Sequence, residues 1–112
     1  MFLLKKYTFS NIFNCVGFEF DSRKSDSNKL KHGIDFHEAQ ALWNKPIIQA
    51  GSYVRSNEER FAVCGKIQGI YWTAIITLRK EIIRIISVRK SRTNEKEIYK
   101  RLVEDSNNGE ES

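Results

Sequence analysis

Three apolar runs, residues 61–67, 70–78 and 82–89, follow one another with only two or three residues between them. Each is rich in β-branched and aromatic side chains, which fit a pleated surface. Links that short cannot carry a crossover, so the three must lie side by side as antiparallel strands. Gln68-Gly69 suits a tight hairpin turn, whereas Arg79-Lys80-Glu81 lacks glycine and predicts a longer or type I connection. The last run, Ile82-Ile83-Arg84-Ile85-Ile86-Ser87-Val88-Arg89, holds two arginines and a serine inside a β-branched stretch. Burying a guanidinium is costly unless it is paired or faces an opening. Each arginine is therefore either half of an ion pair or part of an anion site.

Upstream, Gly17-Phe18-Glu19-Phe20-Asp21 alternates apolar and acidic residues, the pattern of a short half-exposed strand. Asp21 or Ser22 caps a helix through Lys24, Asn28 and Leu30 to His32, with Gly33 as its left-handed stop. Leu30 is nearly the only large hydrophobe there, so this helix lies on the surface. Asp35 and Glu38 form a capping box for a second helix, whose Phe36, Ala39, Leu42 and Trp43 make one stripe before Pro46 ends it. Residues 47–53 read as strand or loop, and Ser56-Asn57-Glu58-Glu59 as a surface loop. Thr93 caps a last helix, in which Ile98 stacks on Leu102 and Tyr99 on Val103. Trp43, Tyr71 and Trp72 read as core residues. The class is α+β, a small antiparallel β-sheet packed with about three helices. Residues 1–16 lack clean periodicity and read as an N-terminal extension: an extra strand, an ordered arm, or a stretch upstream of an alternative start at Val16. Residues 17–104 make the domain, and residues 105–112 an acidic, disordered tail.

The chain has 112 residues, enough for one modest core, and its 40% hydrophobic content argues for a folded one. A net charge of +5 favours an acidic partner, whether nucleic acid, protein or membrane surface. No run is long enough to span a bilayer. The opening Met1-Phe2-Leu3-Leu4-Lys5-Lys6 has its charge in the wrong order for a secretory signal. Cys15 and Cys64 make no disulfide framework, which points to a reduced, cytoplasmic setting. With His32 and His37 they show no ligand spacing, so neither a metal nor another cofactor is expected. No helix is long and basic on one face with a turn-helix companion, which disfavours a DNA-binding repressor acting alone.

Two blocks stand out. The first is Phe18-Glu19-Phe20-Asp21, Lys24, Asn28, Lys31-His32-Gly33, Phe36 and Glu38-Ala39. The second is Arg60, Gly65, Arg84-Ile85-Ile86-Ser87-Val88-Arg89, Glu95 and Tyr99. In order and spacing they resemble the BrnT family of bacterial type II toxins, and the resemblance runs from Gly17 to about Leu102. Its most specific elements are K-H-G-[VI]-x-F and R-I-I-S-x-R. The chain departs from that pattern at Ser22, where proline is usual, at His37, where a glutamate is common, and at Val88, where alanine is usual. The hairpin before Ile82 also lacks the family's glycines. The resemblance implies a RelE-like fold and an endoribonuclease toxin that cleaves RNA without a metal, arresting growth by blocking translation. It also implies a BrnA-like ribbon-helix-helix antitoxin that holds the toxin in a hetero-oligomer. The alternative is a catalytically silent nucleic-acid- or protein-binding module of the same fold.

Metal-free RNA cleavage needs a base for the ribose 2′-OH, cationic donors around the phosphate, and an acid for the leaving 5′-oxygen. Histidine changes charge near neutral pH, and His32 is the one histidine that the BrnT pattern matches, so the resemblance makes it the best general acid or base. A helix C-terminus suits it equally as a plain polar residue. Lys31 beside it, a candidate on the resemblance and otherwise a solvated surface lysine, joins Arg60 at the start of its strand and Arg84 in mid-strand as the catalytic candidates. Arg89, Ser87 and Tyr99 are substrate-binding candidates, though Glu95 can pair with Arg89, and Tyr99 can pack on the sheet instead of stacking a base. Asp21 and Glu38 read as caps rather than bases. Arg84 and Arg89 are an odd number of positions apart, so in a regular strand they point to opposite faces. Only one can then face the chemistry, unless a bulge intervenes.

Overall fold

The computed structural model describes residues 17–105, so the extension expected at 1–16 and the tail beyond Asp105 lie outside the described residues. In chain order the elements are β1 (Gly17–Glu19), α1 (Ser22–His32), a 3-10 helix (Glu38–Asn44), β2 (Ile48–Arg55), β3 (Glu58–Ile67), β4 (Ile70–Arg79), β5 (Ile82–Lys90) and α2 (Thr93–Tyr99). A π-helical segment, Lys100–Asp105, continues α2, so Asp105 ends a helix rather than opening a tail. The class is α+β as expected, but the sheet is mixed. Its strand order is β1-β5-β4-β3-β2, antiparallel throughout except that β1 pairs with β5 in parallel. No hairpin joins β1 to β5, so no tight turn dictates the direction of this edge strand.

Two turns are tighter than the sequence predicts. Ser56 and Asn57, with φ of 55° and 60°, form a two-residue turn between the paired Arg55 and Glu58. Both residues are left-handed, as a hairpin turn of matching twist requires. Glu58 and Glu59 therefore belong to β3 and not to a loop. Lys80, with φ of 57°, opens an equally short link between the paired Arg79 and Ile82. A left-handed residue with a Cβ costs roughly 1–2 kcal/mol, which the strand ladders on either side offset. Gln68-Gly69 turns as expected, at φ of 49° and 82°.

The helix ends follow their sequence signals with one exception. The Asp21 carboxylate accepts from the Arg23 and Lys24 amides at 2.8 and 3.2 Å, and Gly33 stops α1 at φ 85°. Asp35 and Glu38 exchange their capping bonds at 2.7 and 2.9 Å, although the helix they open is 3-10 rather than α. At α2 the cap is Arg92 and not Thr93, because the Glu95 carboxylate reaches back to the Arg92 amide at 2.7 Å.

Phe36, Ala39 and Leu42 bury the expected stripe against Phe61, Val63, Ala74, Ile76, Ile83, Ile85 and Val88 on one face of the sheet. Gly65 lies beneath them, where a Cβ would come within 2.8 Å of a Leu42 methyl. On the opposite face α2 covers only one end, with Tyr99 packed on Ile48 and Cys64.

α1 docks on the sheet through polar groups, for Leu30 is 89% exposed while Ser25 and Asn28 are buried. The Asn28 amide donates to the carbonyls of Ile34 and Val88, each at 2.8 Å, and accepts from the Val88 N–H at 3.1 Å. Asn28→Ala leaves those buried groups unpaired, at about 1–3 kcal/mol for each one stranded. A lower urea midpoint with an unchanged slope is the expected measurement; an unchanged midpoint would show that water replaces the amide.

Candidate functional site

β5 is not a regular strand. Ser87 opposes Ile75 while Ile85 opposes Ile76, so Ile86 is an extra residue between paired neighbours. This bulge resets the alternation. Ile83, Ile85 and Val88 are all buried in the core beneath α1, although three positions separate the last two. Arg84, Ser87 and Arg89 consequently share the other face, opposite Thr77, Ile75 and Thr73 on β4. The exception left open for a bulge is the case that applies: one inserted residue brings both arginines round to that face, where a regular strand would have placed only one.

A row of side chains crosses the same face. Tyr53 of β2 pairs with Arg60 of β3, Thr77 of β4 with Arg84 of β5, and Arg84 with Glu19 of β1. The β3–β4 register places Arg60 beside Thr77. Glu58 and Arg79, each two residues along its strand, form the next row outward. Arg84 reaches the Glu19 carboxylate at 3.2 Å, and Arg79 reaches the same oxygen at 3.5 Å. Arg79 also reaches Glu58 at 3.2 Å, and Arg60 lies 4.0 Å from Glu58. Three guanidinium groups thus share two carboxylates in an alternating chain. Among the described residues the Nε of Arg60 is buried without a hydrogen-bond partner.

Lys24, Glu58, Arg60, Arg79 and Arg84 line an open hollow of about 180 Å³, together with Asp21, Ile85 and Ile86. Asp21 is committed to capping α1. The hollow therefore carries a surplus of fixed positive charge and one apolar side. Guanidinium groups in that setting match the geometry of a phosphate.

Arg89 stands on the same face but is occupied. Its two terminal nitrogens donate to the two oxygens of Glu95 at 2.8 and 3.0 Å. Burial disfavours the Glu95 carboxylate, yet Arg89, the Arg92 amide and the Thr73 hydroxyl outweigh it and hold its pKa down to about 2. Ser91 continues the network, 2.8 Å from the Thr73 hydroxyl and 3.2 Å from the Cys64 sulfur. Burial pushes the Cys64 thiol up. This cluster fastens α2 to the sheet. Tyr99 is buried and donates its hydroxyl to the Pro46 carbonyl at 2.9 Å, so its ring is turned away from the hollow. Ser87 is half-buried on the arginine-bearing face.

His32 and Lys31 are exposed at the far end of α1 from the hollow. Asp21 at the helix start lines the hollow, and 11 residues of helix carry the chain about 16 Å away from it. The structure brings Arg60 and Arg84 together and leaves His32 and Lys31 apart from them. Among the described residues no group of three or more His, Cys, Asp or Glu is arranged to hold a metal ion.

Sequence reasoning missed Glu58 and Arg79 as members of the site. The signal was the alternation 58/60 on one strand and 77/79 on the next, concealed by reading 56–59 as a loop. A family model described as "Ribonuclease toxin, BrnT, of type II toxin-antitoxin system" matches residues 20–95. That span holds every residue of the hollow and stops one short of Glu19. No curated protein matches the chain.

Proposed function

Since the chain belongs to the BrnT family of ribonuclease toxins of type II toxin–antitoxin systems, we propose that it is an endoribonuclease whose reaction centre is the arginine-lined hollow. The observation that carries this reading is the chain of Arg84, Arg79 and Arg60 on two carboxylates around an open hollow. In this proposal Arg84 and Arg60 hold the scissile phosphate and stabilise the charge that builds on it. Glu19, behind them, orients Arg84 and Arg79. Glu58, paired with Arg79 and 4.0 Å from Arg60, is the lining carboxylate that takes the 2′-OH proton, since Asp21 is spent on its cap. The 2′-oxygen then attacks phosphorus and the P–O5′ bond breaks, with Lys24 on the rim supplying a proton to the departing oxygen. The products are a 2′,3′-cyclic phosphate and a 5′-hydroxyl.

Guanidinium groups supply the positive charge that a metal supplies in other nucleases, which supports a metal-independent reaction. Cleavage of cellular RNA blocks translation and arrests growth. The partner is a BrnA-like ribbon-helix-helix antitoxin, and the fold is of RelE type; the mixed sheet with helices on both faces supports that kinship in class. A basic, open face suits both an antitoxin and RNA in turn, since whichever covers it excludes the other.

Purified protein incubated with single-stranded RNA in EDTA is expected to leave 2′,3′-cyclic phosphate and 5′-hydroxyl ends. Intact RNA, together with normal growth of cells expressing the chain without an antitoxin, would favour the silent binding module instead. Cleavage that appears only with added divalent cation would remove the metal-independent mechanism alone.

A further inference from the structure

On the far side of Arg60 from the hollow, β2 presents an aromatic ring. Tyr53 is 45% exposed and is the direct cross-strand partner of Arg60, so the two share a face about 5 Å apart. Two residues back on the same face, Gly51 lies opposite Ala62, and a Cβ at Gly51 would meet nothing within 4 Å among the described residues. Ala62 in turn lies opposite Ile75. The sheet here is a lightly apolar floor, with Ala62 and Ile75 partly exposed. It is bordered on one side by Tyr53 and on another by the row that carries Arg60 and Arg84.

We infer that Tyr53 and the floor formed by Gly51, Ala62 and Ile75 are a base-binding subsite, taking the nucleobase next to the phosphate held at Arg60. The inference rests on the ribonuclease reading of the hollow and adds to it where the RNA strand runs. Three features select a nucleobase. Gly51 and Ala62 are small, which keeps the floor low. The bordering side chain is aromatic and part-exposed, and any base stacks on an aromatic face. The neighbouring cation is a guanidinium, which takes the phosphate that every stacked base brings with it. The three floor residues place no polar side chain beneath the base, so its edge is not read there. The subsite therefore accepts all four bases, with a modest preference for those that stack best.

The test uses the full chain and a single-stranded RNA made uncleavable by 2′-O-methylation and carrying 2-aminopurine, whose fluorescence falls when it stacks. Wild type, Tyr53→Phe and Tyr53→Trp are expected to quench the fluorophore and to bind with similar Kd. Tyr53→Leu keeps the apolar bulk but loses the π-face; it is expected to lose the quenching and to raise Kd roughly tenfold. Thermal unfolding of the variants should match wild type, because the side chain is on an open surface. Quenching and Kd unchanged in Tyr53→Leu would overturn the subsite. An effect of that variant on antitoxin binding alone would overturn it too, making the ring a protein contact. Unmethylated RNA is assayed in parallel. Wild type that cleaves while Tyr53→Leu binds normally removes only the subsite, whereas wild type that cleaves nothing removes the ribonuclease reading itself.

Discussion

Arg84→Ala is expected to lower the rate of RNA cleavage by about 10²–10³-fold, the usual cost of removing one preorganised donor from developing charge. Its fold should survive. The Arg84 side chain is partly exposed, and its partner Glu19 keeps a second arginine, Arg79, at 3.5 Å. Exposed ion pairs of that kind contribute roughly 0–1 kcal/mol to stability. Single-turnover kinetics on a short RNA would report the loss, and thermal unfolding would report the retained fold. Arg60→Ala should fall in the same range. His32→Ala supplies the contrast: a residue one helix length from the hollow should leave the rate within a few-fold of wild type. The reverse pattern, with His32→Ala inactive and Arg84→Ala active, would move the reaction centre to the end of α1 and overturn the present assignment.

A large effect on stability is expected from the other arginine of β5. Arg89→Ala strands the Glu95 carboxylate, whose side chain is 8% exposed. Leaving a buried charge without its partner costs about 3–5 kcal/mol, and Thr73 and the Arg92 amide recover part of that. The protein should therefore unfold at markedly lower urea, with α2 loosened first. Acid acts on the same pair. Glu95 has a folded pKa near 2, below its ordinary 4.5, so the folded state binds its proton less readily than the unfolded chain. The stability it contributes is complete above about 4.5 and is lost as pH falls through 2. Urea midpoints measured between pH 5 and 2 should fall steeply in wild type and much less in Glu95→Gln, which starts lower. Parallel curves for the two proteins would assign the acid sensitivity to other carboxylates.

Most of the local structure was legible because it depends on near neighbours. Asp21 and Gly33 bracket α1, Asp35 and Glu38 exchange their bonds, and the stripe from Phe36 to Leu42 is buried as its spacing predicts. What escaped depends on distant alignment. Ile86 is one more isoleucine in an apolar run, and nothing in its identity marks it as the unpaired position. Ser56 and Lys80 adopt left-handed φ without being glycine, so two tight hairpins looked like longer links. With those turns lengthened, Glu58 could not be aligned with Arg79, and the alternating chain of charges vanished from view. The separation of His32 from Arg84 has the same origin. Both belong to the matched pattern, but the direction of α1 along the sheet is fixed by the bonds from Asn28 to Val88, which no local signal announces.

The chain of arginines on Glu19 and Glu58 has a consequence for how binding responds to salt. Ordinary phosphate-binding proteins gain affinity by sending condensed counterions back to bulk solution, and the dependence on salt counts the charges involved. Here the arginines already carry counterions that are covalently part of the molecule. An arriving phosphate must exchange places with a carboxylate that stays within a few ångströms, as in an ion-exchange resin whose mobile ions are tethered. Each arginine is then worth less than one released ion, and the salt dependence of RNA binding should be shallower than a count of its arginines implies.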